Sequence, residues 1–107
     1  MYIPDKWRLV KLVSEKDKAI HYRVFAGWYG GYTSGDSWKL NSGITKVKEC
    51  KDYYDFYGSS GSLYRCMKEY RGMSMYMCIV LEQLKKTEAV ELTLAEYEDL
   101  PKELKDV

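Results

Sequence analysis

The residues that most often carry catalysis and metal binding are scarce in this chain. Its 107 residues include one histidine, His21. That leaves little for proton transfer near neutral pH or for an imidazole metal centre. The three cysteines, Cys50, Cys66 and Cys78, are far apart and form no Cys-x-x-Cys pair, so no zinc-site spacing is present. Their odd number predicts free thiols in a reducing compartment, with Cys66 and Cys78 as small core residues. No Gly-x-Ser-x-Gly elbow and no phosphate-loop signature occur. No catalytic residue, metal ligand or cofactor is therefore assigned, and the chain reads as non-enzymatic. Long apolar runs are also missing. The longest uncharged stretch of the second half, Gly72 to Leu81, is far short of a bilayer span. The opening Met1-Tyr2-Ile3-Pro4-Asp5 lacks the basic start and apolar run of a secretory signal. The expectation is a cytoplasmic protein without membrane contact. Proline occurs only twice, at Pro4 and Pro101, so residues 5–100 are free of its breaks.

Tyrosine fills the space these absences leave. There are eleven, with three tryptophans and only two phenylalanines. Many stand beside Gly and Ser, in 27–35 and again in 53–61. Tyr offers apolar area, a polar tip and few rotatable bonds, which suits a recognition surface and also suits the sheet faces of a small domain. Charged residues make up 31% and apolar ones 46%, the balance of a globular chain, and the length is that of a single domain over 1–107. Net charge is +1, yet residues 1–86 hold 15 Lys/Arg against 9 Asp/Glu, while 87–107 hold 2 against 7. This split fits an acidic C-terminal element folded on a mildly basic body, the plainer reading, or an acidic patch offered to a partner.

Alternation defines the first elements. Trp7 to Val13 is β-rich, Ser14 to Lys18 is a polar turn, and Ala19 to Trp28 alternates. Ile20, Tyr22, Val24, Ala26 and Trp28 fall on one face, and His21, Arg23 and Phe25 on the other. The two stretches predict an antiparallel hairpin. Ser37–Leu40 is a short strand, and Ile44–Cys50 with Tyr53–Tyr57 a second hairpin around Lys51-Asp52. From Ser62 the spacing of Leu63, Cys66, Met67 and Tyr70 predicts a helix, with Ser62 as N-cap and Gly72 after its end. Ser74 caps a second helix over 75–86, whose stripe is Met77, Val80, Leu81 and Leu84. Residues 89–92 form a strand, and Thr93 to Glu96 a capping box opening a short acidic helix to Leu100. The fold class is α+β: one small antiparallel sheet of four or five strands, packed on one face by two helices, with a short C-terminal strand and acidic helix.

Three surfaces are candidates for function. The first is the aromatic Gly/Ser-rich loop, in which Trp28, Tyr29, Tyr32, Asp36 and Trp38 would contact a protein partner. The chain is then a binding or regulatory protein, of the size and make-up of a small accessory or virus-encoded protein, and a homodimer through a sheet edge or aromatic face is a related expectation. The second is Lys46 and Lys48 with Tyr53 and Tyr57, where charge and stacking would hold single-stranded nucleic acid. The third is Gly58-Ser59-Ser60-Gly61-Ser62 ahead of the expected helix. There Ser59, Ser60, Ser62 and Arg65 would hold an anionic ligand, in a binding protein or small enzyme.

Overall fold

The computed structural model describes residues 1–30, 35–87 and 90–105. Among these described residues seven strands and two helices follow in order: β1 Lys6–Ser14, β2 Ile20–Trp28, β3 Ser37–Leu40, β4 Ile44–Glu49, β5 Tyr53–Gly58, β6 Leu63–Met67, α1 Met75–Thr87, β7 Val90–Ala95 and α2 Lys102–Lys105. Short 3-10 turns occupy Lys68–Tyr70 and Tyr97–Asp99. The class is α+β, with two antiparallel sheets rather than one. β3-β2-β1-β7 form the larger and β4-β5-β6 the smaller.

The two sheets and α1 make three layers, with the four-stranded sheet in the middle. Its central strands β1 and β2 carry buried apolar residues on both sides. Trp7, Leu9, Val24 and Ala26 face the smaller sheet, where Ile44, Val47, Phe56, Tyr64 and Cys66 meet them. Val10, Leu12, Phe25 and Leu92 face α1, where Met77, Val80 and Leu81 meet them. The adjacent buried residues Val24, Phe25 and Ala26 belong to a strand covered on both faces. The stripe expected on the 75–86 helix is thus the packed one, and Ser74 Oγ accepts from Met77 N at 3.2 Å as its cap. Cys78, expected in the core, is exposed, whereas Cys66 is buried. Gly27 allows α1 to approach: a Cβ there would stand 2.4 Å from Met77 Sδ and 2.7 Å from its Cγ.

The helix expected from Ser62 does not form. Tyr64 and Cys66 are buried in alternation, and β6 pairs along its whole length with β5, Tyr53 facing Met67 and Tyr57 facing Leu63. Cross-strand pairing outweighs the helical spacing, which arises from Leu63 and Met67 lying on the outer face and Cys66 on the inner one. α1 is accordingly the single long helix among the described residues. The C-terminal strand runs longer than expected, to Ala95, so Thr93 is a strand residue. The capping box instead joins Glu96 and Asp99. The acidic segment does fold onto basic residues. Glu96 accepts from Arg8 Nη2 at 2.9 Å through one oxygen and from Arg71 through the other.

One short link carries the chain from the larger sheet to the smaller. Asn41, buried between them, accepts from Val24 N through Oδ1 at 2.8 Å, and its own N–H bonds to Val24 O at 3.0 Å. Gly43 follows with φ +134°, a conformation that L side chains disfavour.

Candidate functional site: the outer face of the smaller sheet

β4, β5 and β6 turn their inner side chains to the core and leave the other face open. Strand alternation and the observed register set that face out as a grid. Lys46, Tyr57 and Leu63 form one row, Lys48, Asp55 and Arg65 the next. Beyond them Tyr53 lies opposite Met67, and Cys50 N donates to Tyr53 O across the hairpin end. Lys46 and Lys48 are exposed, and both tyrosines are half-buried.

The centre of the grid is an ion pair. Arg65 donates from Nε to Asp55 Oδ1 at 2.9 Å and from Nη2 to Oδ2 at 3.0 Å. This two-bond fork fixes the guanidinium plane. The Asp55 side chain is 6% exposed and that of Arg65 33%, so the carboxylate lies beneath and the guanidinium above. Hydrogen bonding to Asp55 pushes the Arg65 pKa up, which secures its charge. The same guanidinium stacks on Tyr53, 4.2 Å from the ring centroid, while Lys46 Nζ lies 5.6 Å from that of Tyr57. A hydrogen bond with Cys50 raises the Tyr53 phenol above its ordinary range. Two aromatic rings, each beside a cation, therefore stand on either side of a fixed arginine.

The four residues expected at a nucleic-acid surface, Lys46, Lys48, Tyr53 and Tyr57, are thus brought to one face. Sequence reasoning missed that Arg65 and Asp55 join them. The signal was the even spacing of Leu63, Arg65 and Met67, which is also a strand pattern.

The other two candidate sets fare differently. Ser59, Ser60 and Ser62 lie in the β5–β6 turn and hydrogen-bond around the link between sheets. Ser60 N donates to Ser42 Oγ at 3.0 Å, Ser42 Oγ to Ser60 Oγ at 3.1 Å, and Ser59 Oγ to Ser42 O at 3.4 Å. No helix starts at Leu63, so the helix end invoked for an anion is missing, and the guanidinium of Arg65 is committed to Asp55. In the aromatic loop, Trp28 packs toward the smaller sheet and its Nε1 donates to Ile3 O at 3.0 Å. Trp38 packs on the opposite side of the larger sheet, its ring 6.0 Å from Phe25. The two tryptophans are therefore separated by the sheet. Asp36 Oδ1 accepts from Gly30 N at 3.2 Å, and Tyr29 is 56% exposed. Tyr32 lies outside the described residues.

A second aromatic cluster closes the far end of the sandwich. Tyr54 and Tyr97 stack at 4.5 Å, and burial raises both phenols. Trp7 lies edge-on to Tyr54, and its Nε1 donates to Met67 O at 2.7 Å. Beside them Arg8 and Arg71, both paired with Glu96, line a cavity of about 150 Å³ together with Glu98.

Among the described residues no helix is long and apolar enough to cross a membrane. Comparison of the chain with protein-family models, with curated proteins and with solved structures finds no match.

Proposed function

We propose that the protein is a non-enzymatic binding module that holds single-stranded nucleic acid on the outer face of the smaller sheet. The observation that carries this reading is the placing of Lys46, Lys48 and Arg65 with Tyr53 and Tyr57 on one open strand surface. Phosphates would meet the two exposed lysines on β4, and bases would stack on the tyrosines and on the outer side of the fixed guanidinium. Asp55 is saturated by Arg65 and presents little free negative charge to a backbone.

Salt dependence tests it. For single strands each phosphate contact contributes a slope of about −0.7 in log K against log salt. Anisotropy with a labelled oligothymidylate should give a slope of about −1.4 or steeper, and Lys46→Gln with Lys48→Gln should flatten it by about 1.4. Tyr57→Ala should lower affinity by about 1–3 kcal/mol without changing the slope. No binding at low ionic strength, or an unchanged slope in the double lysine variant, sinks the proposal.

A second reading rests on Tyr29, whose exposed ring stands next to the Gly/Ser-rich segment. Here the loop engages a protein partner, with Tyr29 and Tyr32 as rigid contacts. Tyr29→Ala with Tyr32→Ala should abolish capture of that partner and leave the circular dichroism unchanged. Equal recovery with the double variant removes this reading.

A further inference from the structure

Two sheets have four edges, and three of these are guarded. The free side of β6 is taken by the N-terminal segment, where Tyr2 N donates to Leu63 O at 2.9 Å and Arg65 N to Tyr2 O at 2.8 Å. β4 carries a register irregularity between Ile44 and Lys46 and presents Lys46 and Lys48. β3 is only four residues long. Short strands, bulges, lysines and covering segments are the usual means of blunting an edge.

β7 has none of these. It runs from Val90 to Ala95 in unbroken register with β1, contains neither Pro nor Lys, and among the described residues is hydrogen-bonded to β1 alone. Its free amides can be identified. Ser14 N donates to Ala19 O, so Ser14, Leu12 and Val10 of β1 turn their amides to β2. Val13, Lys11 and Leu9 then turn theirs to β7, where they face Glu91, Thr93 and Ala95. Val90, Leu92 and Leu94 are left with outward amides and carbonyls. These are also the apolar residues of the helix-covered side, on which Leu92 is buried and Leu94 is 39% exposed.

We propose that β7 pairs antiparallel with β7 of a second copy, about a two-fold axis at Thr93. This register pairs residues 91–95 of the two strands and leaves Val90 opposite Glu96 of the second copy. It sets Leu92 against Leu94 of the second copy and Glu91 against Ala95 of the second copy, so no like charges meet. Both Leu94 side chains become covered, and the two larger sheets join into one of eight strands. The contact is isologous and therefore closes at two copies.

Sedimentation equilibrium of the full chain at about 100 µM, where small interfaces still associate, should give a species of twice its 12.6 kDa. Leu94→Lys should return the mass to that of a monomer with unchanged circular dichroism. Thr93→Cys, in a Cys50→Ser and Cys78→Ser background, should form an intermolecular disulfide on mild oxidation, because residues at a non-hydrogen-bonded site on the axis have Cα atoms about 4.5 Å apart. A wild-type monomer at that concentration overturns the proposal and leaves the edge to another protein's extended segment. A dimer that survives Leu94→Lys and does not cross-link at position 93 overturns it as well.

Discussion

Replacing Gly27 by alanine tests the packing of α1 on the larger sheet. The glycine sits in β2 under Met77, whose side chain is fully buried. The added methyl would lie 2.4 Å from Met77 Sδ and 2.7 Å from Cγ. Both distances are far inside contact range, so Met77 must leave its rotamer or α1 must lift. Forcing one methyl into a filled core costs about 1–3 kcal/mol. Removing glycine from a strand interior returns about 0.5–1 kcal/mol, so the net loss is about 0–2.5 kcal/mol. For a domain of this size that lowers the midpoint of thermal unfolding by up to about 20 °C. The decisive comparison is with Met77→Ala, which alone leaves a cavity and costs about 2–5 kcal/mol. In that background the new methyl enters empty space, and Gly27→Ala should become neutral or stabilising. Urea unfolding of the four proteins of this cycle measures the coupling directly. If Gly27→Ala costs the same in both backgrounds, close approach to Met77 is not the reason for glycine at this position.

Ser74→Ala removes the cap of α1 and should cost about 1 kcal/mol in denaturant unfolding, with Ser74→Asp retaining most of the stability. Asn41→Leu leaves the buried Val24 N–H without its side-chain acceptor and should cost about 1–3 kcal/mol, read in the same assay. In the folded protein Cys78 should react with a maleimide while Cys66, whose thiol burial pushes up, stays silent until denaturant is added; native labelling of Cys66 would contradict its placement between the sheets. Burial raises the phenols of Tyr54, Tyr64 and Tyr97 above their ordinary 10.0. Their contribution is thus complete below pH 10 and is lost as pH rises through the folded values. Unfolding free energy should begin to fall as pH rises toward the ordinary tyrosine value and keep falling above it, together with late tyrosinate absorbance.

Much of the strand order was legible because alternation is a local property. The β1–β2 and β4–β5 hairpins lie where polar turns separate alternating stretches, and α1 shows both its stripe and its cap. β6 was not legible as a strand, because five residues with apolar ones on both faces fit a helical period equally well. Only pairing with β5 and Tyr2 decides between them. The split into two sheets was hidden for a related reason. Phe25 on the more polar face of β2, and Val10 and Leu12 opposite Trp7 and Leu9 in β1, are the mark of a sheet buried on both sides, and that mark resembles irregular alternation. Of the site, the lysines and tyrosines could be read from their spacing. The Asp55–Arg65 fork could not, since it depends on the register between β5 and β6.

The pairing of β1 with β7 bears on how the chain acquires its structure. Leu9 pairs with Ala95, nearly the whole length of the protein away, whereas β4, β5 and β6 form a meander of neighbouring strands. Contacts so distant in sequence are slow to form, because a large loop must close before they contribute. The smaller sheet and the β1–β2 hairpin should then assemble first. During synthesis β1 would carry a bare edge until residues 90–95 leave the ribosome. In that interval the nascent chain is open to mispairing through the strand that later becomes one of its most enclosed.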